Sequence, residues 1–208
     1  MHLPSTMWTC IRQASANPAL VTEMVVSRYQ TPLLEFARQQ GLTHEDAEEV
    51  VQEAFVRICK EEFLLKADRA KGKFRSLLLA VLKYVISEFR RHRNAGVRDR
   101  RLEVPLGTFD VPAEIPEDAG FNRLWVKNLV RQAFENLKGD PTVESLRLQM
   151  DGMSYKDIAT TQGIRETDVT NNIHRAKPRI KRELEKLIGQ YSTQDECPDE
   201  IALLIQYL

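Results

Sequence analysis

Apolar residues recur along most of this chain at intervals of three and four, the spacing of one helical face, and no stretch alternates as a strand does. From residue 22 to residue 40, Val25, Val26, Tyr29, Leu33, Phe36 and Ala37 mark one such face, and Gly41 stands where a left-handed cap would end the helix. Thr43 offers a hydroxyl cap for a second helix, with Glu45 and Asp46 at its positive end. Its inner stripe is Ala47, Val50, Val51, Ala54, Phe55 and Ile58. After a polar stretch the pattern predicts a third helix facing inward through Phe74, Leu77, Leu78, Val81, Leu82, Ile86 and Phe89, with Phe74 as a core residue. These three helices suffice for a small bundle.

Between residues 96 and 120 the period is lost, and Pro105, Gly107, Pro112 and Pro116 interrupt any long helix, so this stretch reads as an extended linker. Helical spacing resumes with Phe121, Leu124, Trp125, Leu129, Ala133, Phe134 and Leu137; Gly139-Asp140-Pro141 marks a turn, and a short helix ends near Gly152. Next come Ser154 as an N-cap with Asp157 three positions on, Ile158 and the small Ala159 facing a neighbour, and Gly163 in a tight turn before Ile164. The following helix, predicted to begin at Thr167 or Asp168, turns Val169, Ile173, Ala176 and Ile180 inward and Thr170, Asn171, His174, Arg175 and Lys177 outward. That division suits a recognition helix, whose apolar side grips its own domain while short polar and basic groups reach base edges and phosphates. The residues alone also fit a packing hairpin with a solvated outer face. Pro178 predicts a kink or an end near Lys177, and Gln162 occupies a position where an apolar residue is expected.

Charge adds to this picture through its distribution. Thirty basic and thirty acidic residues cancel, yet Arg90, Arg91, His92, Arg93, Arg98, Arg100 and Arg101 form one basic cluster, and Arg175, Lys177, Arg179, Lys181 and Arg182 another. Acidic residues gather elsewhere, at 45–53, at Glu114, Glu117 and Asp118, and at 195–200. At 208 residues and 42% hydrophobic, the chain has the composition of a soluble protein of one or two domains, without a transmembrane span or signal segment, and the expected location is the cytoplasm. Cys10, Cys59 and Cys197 are widely separated, so neither a metal site nor a disulfide framework is expected. No phosphate-binding loop, HExxH or GxSxG motif occurs, and His2, His44, His92 and His174 are the only histidines. The expectation is a protein that is not an enzyme and needs no cofactor.

Two stretches carry a family resemblance. "DAEEVVQEAFVRI" (residues 46–58) followed by "KGKFRSLLLAVLKYVISEFRRHR" (71–93) resembles region two of extracytoplasmic-function sigma factors, and "GMSYKDIATTQGIRETDVTNNIHRAKPRIKREL" (152–184) resembles their region four. Order, spacing and the proline-bearing linker are similar too, and "FNRLWVKNLVRQAFENL" (121–137) looks like a planctomycete-type subgroup. The resemblance spans about residues 8–187. It departs from the family at Leu78 or Leu79, where a Trp is common, and at Ser87-Glu88, where an Asp-bearing pair is frequent.

The resemblance implies an all-α protein of two small helical domains joined by an extended linker. A three- to four-helix region-two-like domain would span 1–96, the linker 97–120, a region-four-like helix-turn-helix domain 121–189, and an acidic and apolar tail 190–208. It implies a subunit that binds core RNA polymerase and directs promoter recognition and DNA melting; the alternative is a free-standing DNA-binding regulator. Asp46, Glu49, Gln52, Glu53 and Phe55 match the helix that docks on the polymerase clamp, although charge alone reads as an ordinary solvated face. Lys71, Lys73, Arg75, Lys83, Tyr84, Arg90, Arg91 and Arg93, with Phe74, match the segment that opens and reads the −10 element. Thr170, Asn171, His174, Arg175 and Lys177 match the reader of the −35 element. Implied partners are the largest and second-largest polymerase subunits and promoter DNA, with an anti-sigma factor or kinase as a further candidate and no membrane. The tail reads equally as a regulatory segment or as a short helix completing the second core.

Overall fold

Every element described by the computed structural model, which covers residues 18–58, 73–94 and 116–189, is an α-helix. In chain order these are α1 (Pro18–Gln39), α2 (His44–Ile58), α3 (Phe74–Asn94), α4 (Ala119–Asn136), α5 (Pro141–Met150), α6 (Tyr155–Gln162) and α7 (Glu166–Ile188). Among the described residues none of these helices is long and apolar enough to cross a membrane, and no group of His, Cys, Asp or Glu is placed to hold a metal ion. Lys71, the arginines at 98, 100 and 101, most of the 97–120 stretch and the 190–208 tail lie outside the described residues.

The chain divides into two compact units, Met1–Trp125 and Val126–Leu208. In the first, α2 packs on both α1 and α3, and α1 also meets α3. The α2 stripe of Ala47, Val50, Val51, Ala54, Phe55 and Ile58 is buried, and Tyr29 of α1 meets the edge of Phe74 at 5.8 Å between centroids. Thr43 caps α2, its hydroxyl accepting from the Asp46 amide at 3.1 Å.

The central helix α3 is buried more widely than one stripe predicts. Besides its inner face it buries Arg75, Ser76, Leu79, Val85 and Glu88. Part of the cause is the start of α4, whose Phe121 stands edge-on to Phe36 at 5.9 Å and whose Trp125 ring lies 4.6 Å from the Arg75 guanidinium carbon. The first turns of α4 therefore belong to the core of the first unit. The helical period places the start of a second domain at residue 121, whereas the division falls inside α4, after Trp125. Two large aromatic side chains are buried there with the first unit, and helical period alone carries no sign of which core a helix serves.

In the second unit α7 packs against α5 and α6, and α5 meets α6. Val126, Leu129, Ala133, Val143, Leu146, Ile158, Ala159, Val169, Ile173, Ala176, Ile180, Leu187 and Ile188 make its core. Asp140 caps α5 by accepting from the Thr142 amide at 2.9 Å, with Pro141 at the first helical position, where no N–H is needed.

Candidate functional site

The outward face of α7 is the first candidate surface. Val169, Ile173, Ala176 and Ile180 are buried, while Thr170, Asn171, His174, Arg175 and Lys177 are all exposed. At about 100° per residue Asn171, His174 and Arg175 lie on the arc opposite the buried stripe, with Thr170 and Lys177 on its flank. The Thr170 hydroxyl donates to the Glu166 carbonyl at 3.3 Å. Among the described residues Asn171, His174, Arg175 and Lys177 make no side-chain hydrogen bond or ion pair, and no acidic residue occurs between Asp168 and Glu183. An uncompensated basic face with an amide at its head attracts phosphates and can form paired hydrogen bonds with bases.

Local sequence builds the turn that presents this face. Ser154 caps α6, accepting from the Asp157 amide at 3.2 Å and donating to the Asp157 carboxylate at 2.6 Å. Gly163 ends α6 at φ 66°, a left-handed conformation that costs glycine little, and the Ile164 amide closes back on the Ala159 carbonyl at 3.0 Å. The helix α7 then starts at Glu166, one residue before the earliest expected start: Arg165 is the cap, and Thr167 and Asp168 lie in the first turn. Asp168 accepts from the Arg165 backbone amide at 3.3 Å and from its Nε at 3.0 Å. That arginine holds the Asp168 carboxyl below its ordinary pKa.

Pro178 neither ends nor interrupts α7, which continues to Ile188. The proline is exposed, in the middle of the outer arc. The His174 carbonyl that it deprives of a helical donor therefore lies on the solvent side, where water can satisfy it. Further along, Arg179 pairs with Asp140 and Arg182 donates to the Pro178 carbonyl at 3.2 Å, so the basic run of α7 is free at its start and engaged towards its end.

Gln162 also differs from expectation for a physical reason. Ser145 of α5 is fully buried; its hydroxyl lies 2.6 Å from Gln162 Oε1 and 3.1 Å from the Pro141 carbonyl, and it accepts from Asn172 Nδ2 at 3.1 Å. One buried hydroxyl thus joins α5, α6 and α7, and the amide at 162 serves as its partner. A polar residue amid an apolar pattern was the only sequence sign of this knot.

In the first unit, the proposed docking helix α2 divides in two. Glu49 and Gln52 are exposed. Glu53 is turned to Arg57 at 2.6 Å, and Arg57 also grips the buried Glu88 at 2.6 Å. Asp46 pairs with Arg93 at 2.6 Å; the Thr43 hydroxyl foremost, and then Arg93, hold its carboxyl below the ordinary range. Phe55 is only 6% exposed. It belongs to the core stripe and offers no surface for direct contact, because its side chain points with Val51 and Ile58. Its neighbour Val56, absent from the sequence-based set, is 53% exposed and supplies the apolar part of the outer face.

The basic side of α3 is largely engaged. Lys73 pairs with Glu117 at 2.7 Å and Lys83 with Asp118 at 2.6 Å. Arg75, expected on a nucleic-acid surface, is 4% exposed; it donates to Asn122 at 3.0 Å and to Glu117 at 3.1 Å beneath the Trp125 ring. Burial there removes it from solvent, so direct contact with a strand is not open to it in this arrangement. Tyr84 is half-buried under Arg57, Phe74 lies in the core, Arg90 donates to the Gln40 carbonyl, and Arg91 and Arg93 are exposed.

Glu117, Asp118 and Asn122 are the participants that sequence reasoning missed. They lay in or beside what reads as a linker, and their only signal was an acidic pair just ahead of a helix. The chain matches no protein-family model and no curated protein, so the residues themselves carry the functional reading.

Proposed function

We propose that this chain is a sigma factor of the extracytoplasmic-function kind, a cytoplasmic, non-catalytic subunit that binds core RNA polymerase and directs promoter recognition and melting. The observation that supports it most is the outer face of α7, where Thr170, Asn171, His174, Arg175 and Lys177 stand exposed on a helix entered through a tight glycine turn. Such a face enters the major groove, with Asn171 and Arg175 as candidates for base edges and Lys177 for phosphate. In this reading the first unit is the region-two-like domain and the second the region-four-like domain, with the division between them inside α4. Glu49, Gln52 and Val56 on α2 form the docking face for a basic helical element of the largest polymerase subunit. Strand opening draws on binding energy, and the polymerase performs the chemistry.

A second reading, a free-standing regulator that uses only α7, is favoured by one observation: Lys73 just ahead of α3, and Arg75 and Lys83 within it, are paired within the first unit. Reconstitution separates the two. The sigma reading expects the chain to co-purify with core polymerase and to direct starts at a defined class of promoters. It expects Gln52→Ala with Val56→Ser to reduce polymerase association at least tenfold while duplex binding through α7 persists. A chain that binds promoter duplex yet never associates with polymerase is a regulator.

A further inference from the structure

Two carboxylates just ahead of α4 sit on two lysines, one just ahead of α3 and one within it, that a nucleic-acid strand would need. Glu117 Oε1 meets Lys73 Nζ at 2.7 Å, and Asp118 Oδ2 meets Lys83 Nζ at 2.6 Å. The acidic segment is held in place by groups other than those lysines. The buried Arg75 donates to Glu117 Oε2 and to Asn122 Oδ1, while Asn122 Nδ2 donates to Glu117 Oε2 at 2.9 Å. Phe121 and Trp125 anchor the helix start among the aromatic and apolar side chains of the first unit. Asp118 is also the helix cap, its Oδ1 accepting from the Phe121 amide at 3.0 Å. Gly120 leaves room for this: a Cβ there would come within 3.1 Å of that oxygen.

The lysines are differently placed. Lys73 is about one-third exposed and Lys83 half exposed. Both are long, strongly hydrated ammonium groups in ion pairs of the kind that hold weakly against solvent. Lysine can swing to another anion while Glu117 stays satisfied by Arg75 and Asn122, and Asp118 keeps its capping bond. The segment is therefore a fixed acidic element facing movable cations.

We propose that Glu117 and Asp118 act as a built-in competitor of nucleic-acid phosphate on α3: Lys73 and Lys83 are shielded by these carboxylates until a single strand, delivered by a larger assembly, displaces them. Arg75 takes no part in the exchange; it is a positioning residue that fixes the carboxylates. The inference rests on the sigma-factor reading for the identity of the strand, the opened promoter, and on the observed pairs for everything else. It gives a physical reason for a subunit that ignores stray single strands when alone and grips one beside polymerase.

The test uses the full chain, the Glu117→Gln/Asp118→Asn variant, and that variant with Lys73→Ala/Lys83→Ala added. Glutamine still accepts from Arg75 and asparagine still caps Phe121, so the fold should persist; circular dichroism checks helicity, and Asp118→Asn alone serves if the double variant is unstable. Anisotropy of a labelled oligodeoxythymidine of about twenty nucleotides reports affinity at several salt concentrations. The charge-neutral variant should bind about tenfold more tightly, with a salt slope steeper by about one unit for the two freed lysines, and the added lysine changes should abolish both gains. An unchanged affinity, a gain that survives loss of the lysines, or no binding by any variant overturns the proposal. The same preparations are offered core polymerase. Normal association with no single-strand effect sinks the competitor and leaves the sigma reading; a clear single-strand effect without polymerase association does the reverse.

Discussion

Two helices of this protein carry basic runs, α3 in the first unit and α7 in the second, and they differ in where their counter-charges lie. Lys73 just ahead of α3, and Lys83 and Arg93 within it, each meet a carboxylate from elsewhere in the fold, and Arg75 is buried beneath one. On α7, His174, Arg175 and Lys177 meet none among the described residues, and the first basic group with a distant partner is Arg179. A count of arginines and lysines treats both helices alike. What separates them is whether tertiary structure brings an acid within about 4 Å, since a paired cation has already released much of what it could offer to a phosphate. A zero net charge thus conceals one basic helix whose cations are in good part paired and another whose first basic groups stand open.

The comparison breaks most visibly if the first unit's engaged residues prove to be surface groups. Phe55→Ala removes a ring from a packed core and should cost about 3–5 kcal/mol. Urea denaturation would record this as a lower midpoint, with polymerase association lost only to the extent that the fold is lost. A Phe55→Ala protein of full stability that fails to bind polymerase would return Phe55 to the docking face. Arg75→Ala should come next, at about 2–4 kcal/mol, because it strips a buried cation from Glu117, Asn122 and the Trp125 ring together. Duplex binding through α7 should persist wherever the protein remains folded.

Legibility in the sequence followed the same division. The stripe of α2, the cap at Thr43, the turn at Gly163 and the outer face of α7 are local features, set by residues within one or two turns of each other, and the helical period carries them. The burial of Arg75 and the pairing of Lys73 and Lys83 depend on residues more than thirty positions away in the chain. No periodicity encodes such a meeting, and Glu117 and Asp118 looked like any acidic pair near a helix start. Pro178 and Gln162 show another limit. Each departs from a local rule, and each is accommodated by its surroundings: exposure on the outer arc for the proline, the buried Ser145 hydroxyl for the amide.

On the open surface the expected effects move from stability to binding. Arg175→Ala removes an exposed side chain without a partner, so stability should hold within about 0.5 kcal/mol. Affinity for a promoter duplex should fall by about 1–2 kcal/mol. Titration against matched and altered upstream sequences identifies the contact. A loss confined to one base position assigns Arg175 to a base edge, and a uniform loss with a shallower salt slope assigns it to phosphate. Unchanged affinity for every duplex would remove α7 as the reading surface and with it the contrast between the two helices.

The smallest effect concerns pH. Although partial burial works against ionisation at Glu117, the Lys73 and Asn122 hydrogen bonds and the nearby Arg75 hold its carboxyl below its ordinary value of 4.5. Asp118, also opposed by burial, is held below 3.8 by Lys83 and the Phe121 amide. A carboxyl with a depressed folded-state pKa contributes its stabilisation above the unfolded value, and that contribution is lost as pH falls through the folded value. The pairs on α3 should therefore be intact at neutral pH and weaken only below about pH 4.5. The acid limb of the stability curve should flatten in Glu117→Gln/Asp118→Asn relative to the parent. Arg175→Ala should leave that limb unchanged, because no carboxylate pairs with it; equal acid limbs in all three proteins would mean that the α3 pairs contribute nothing to the fold.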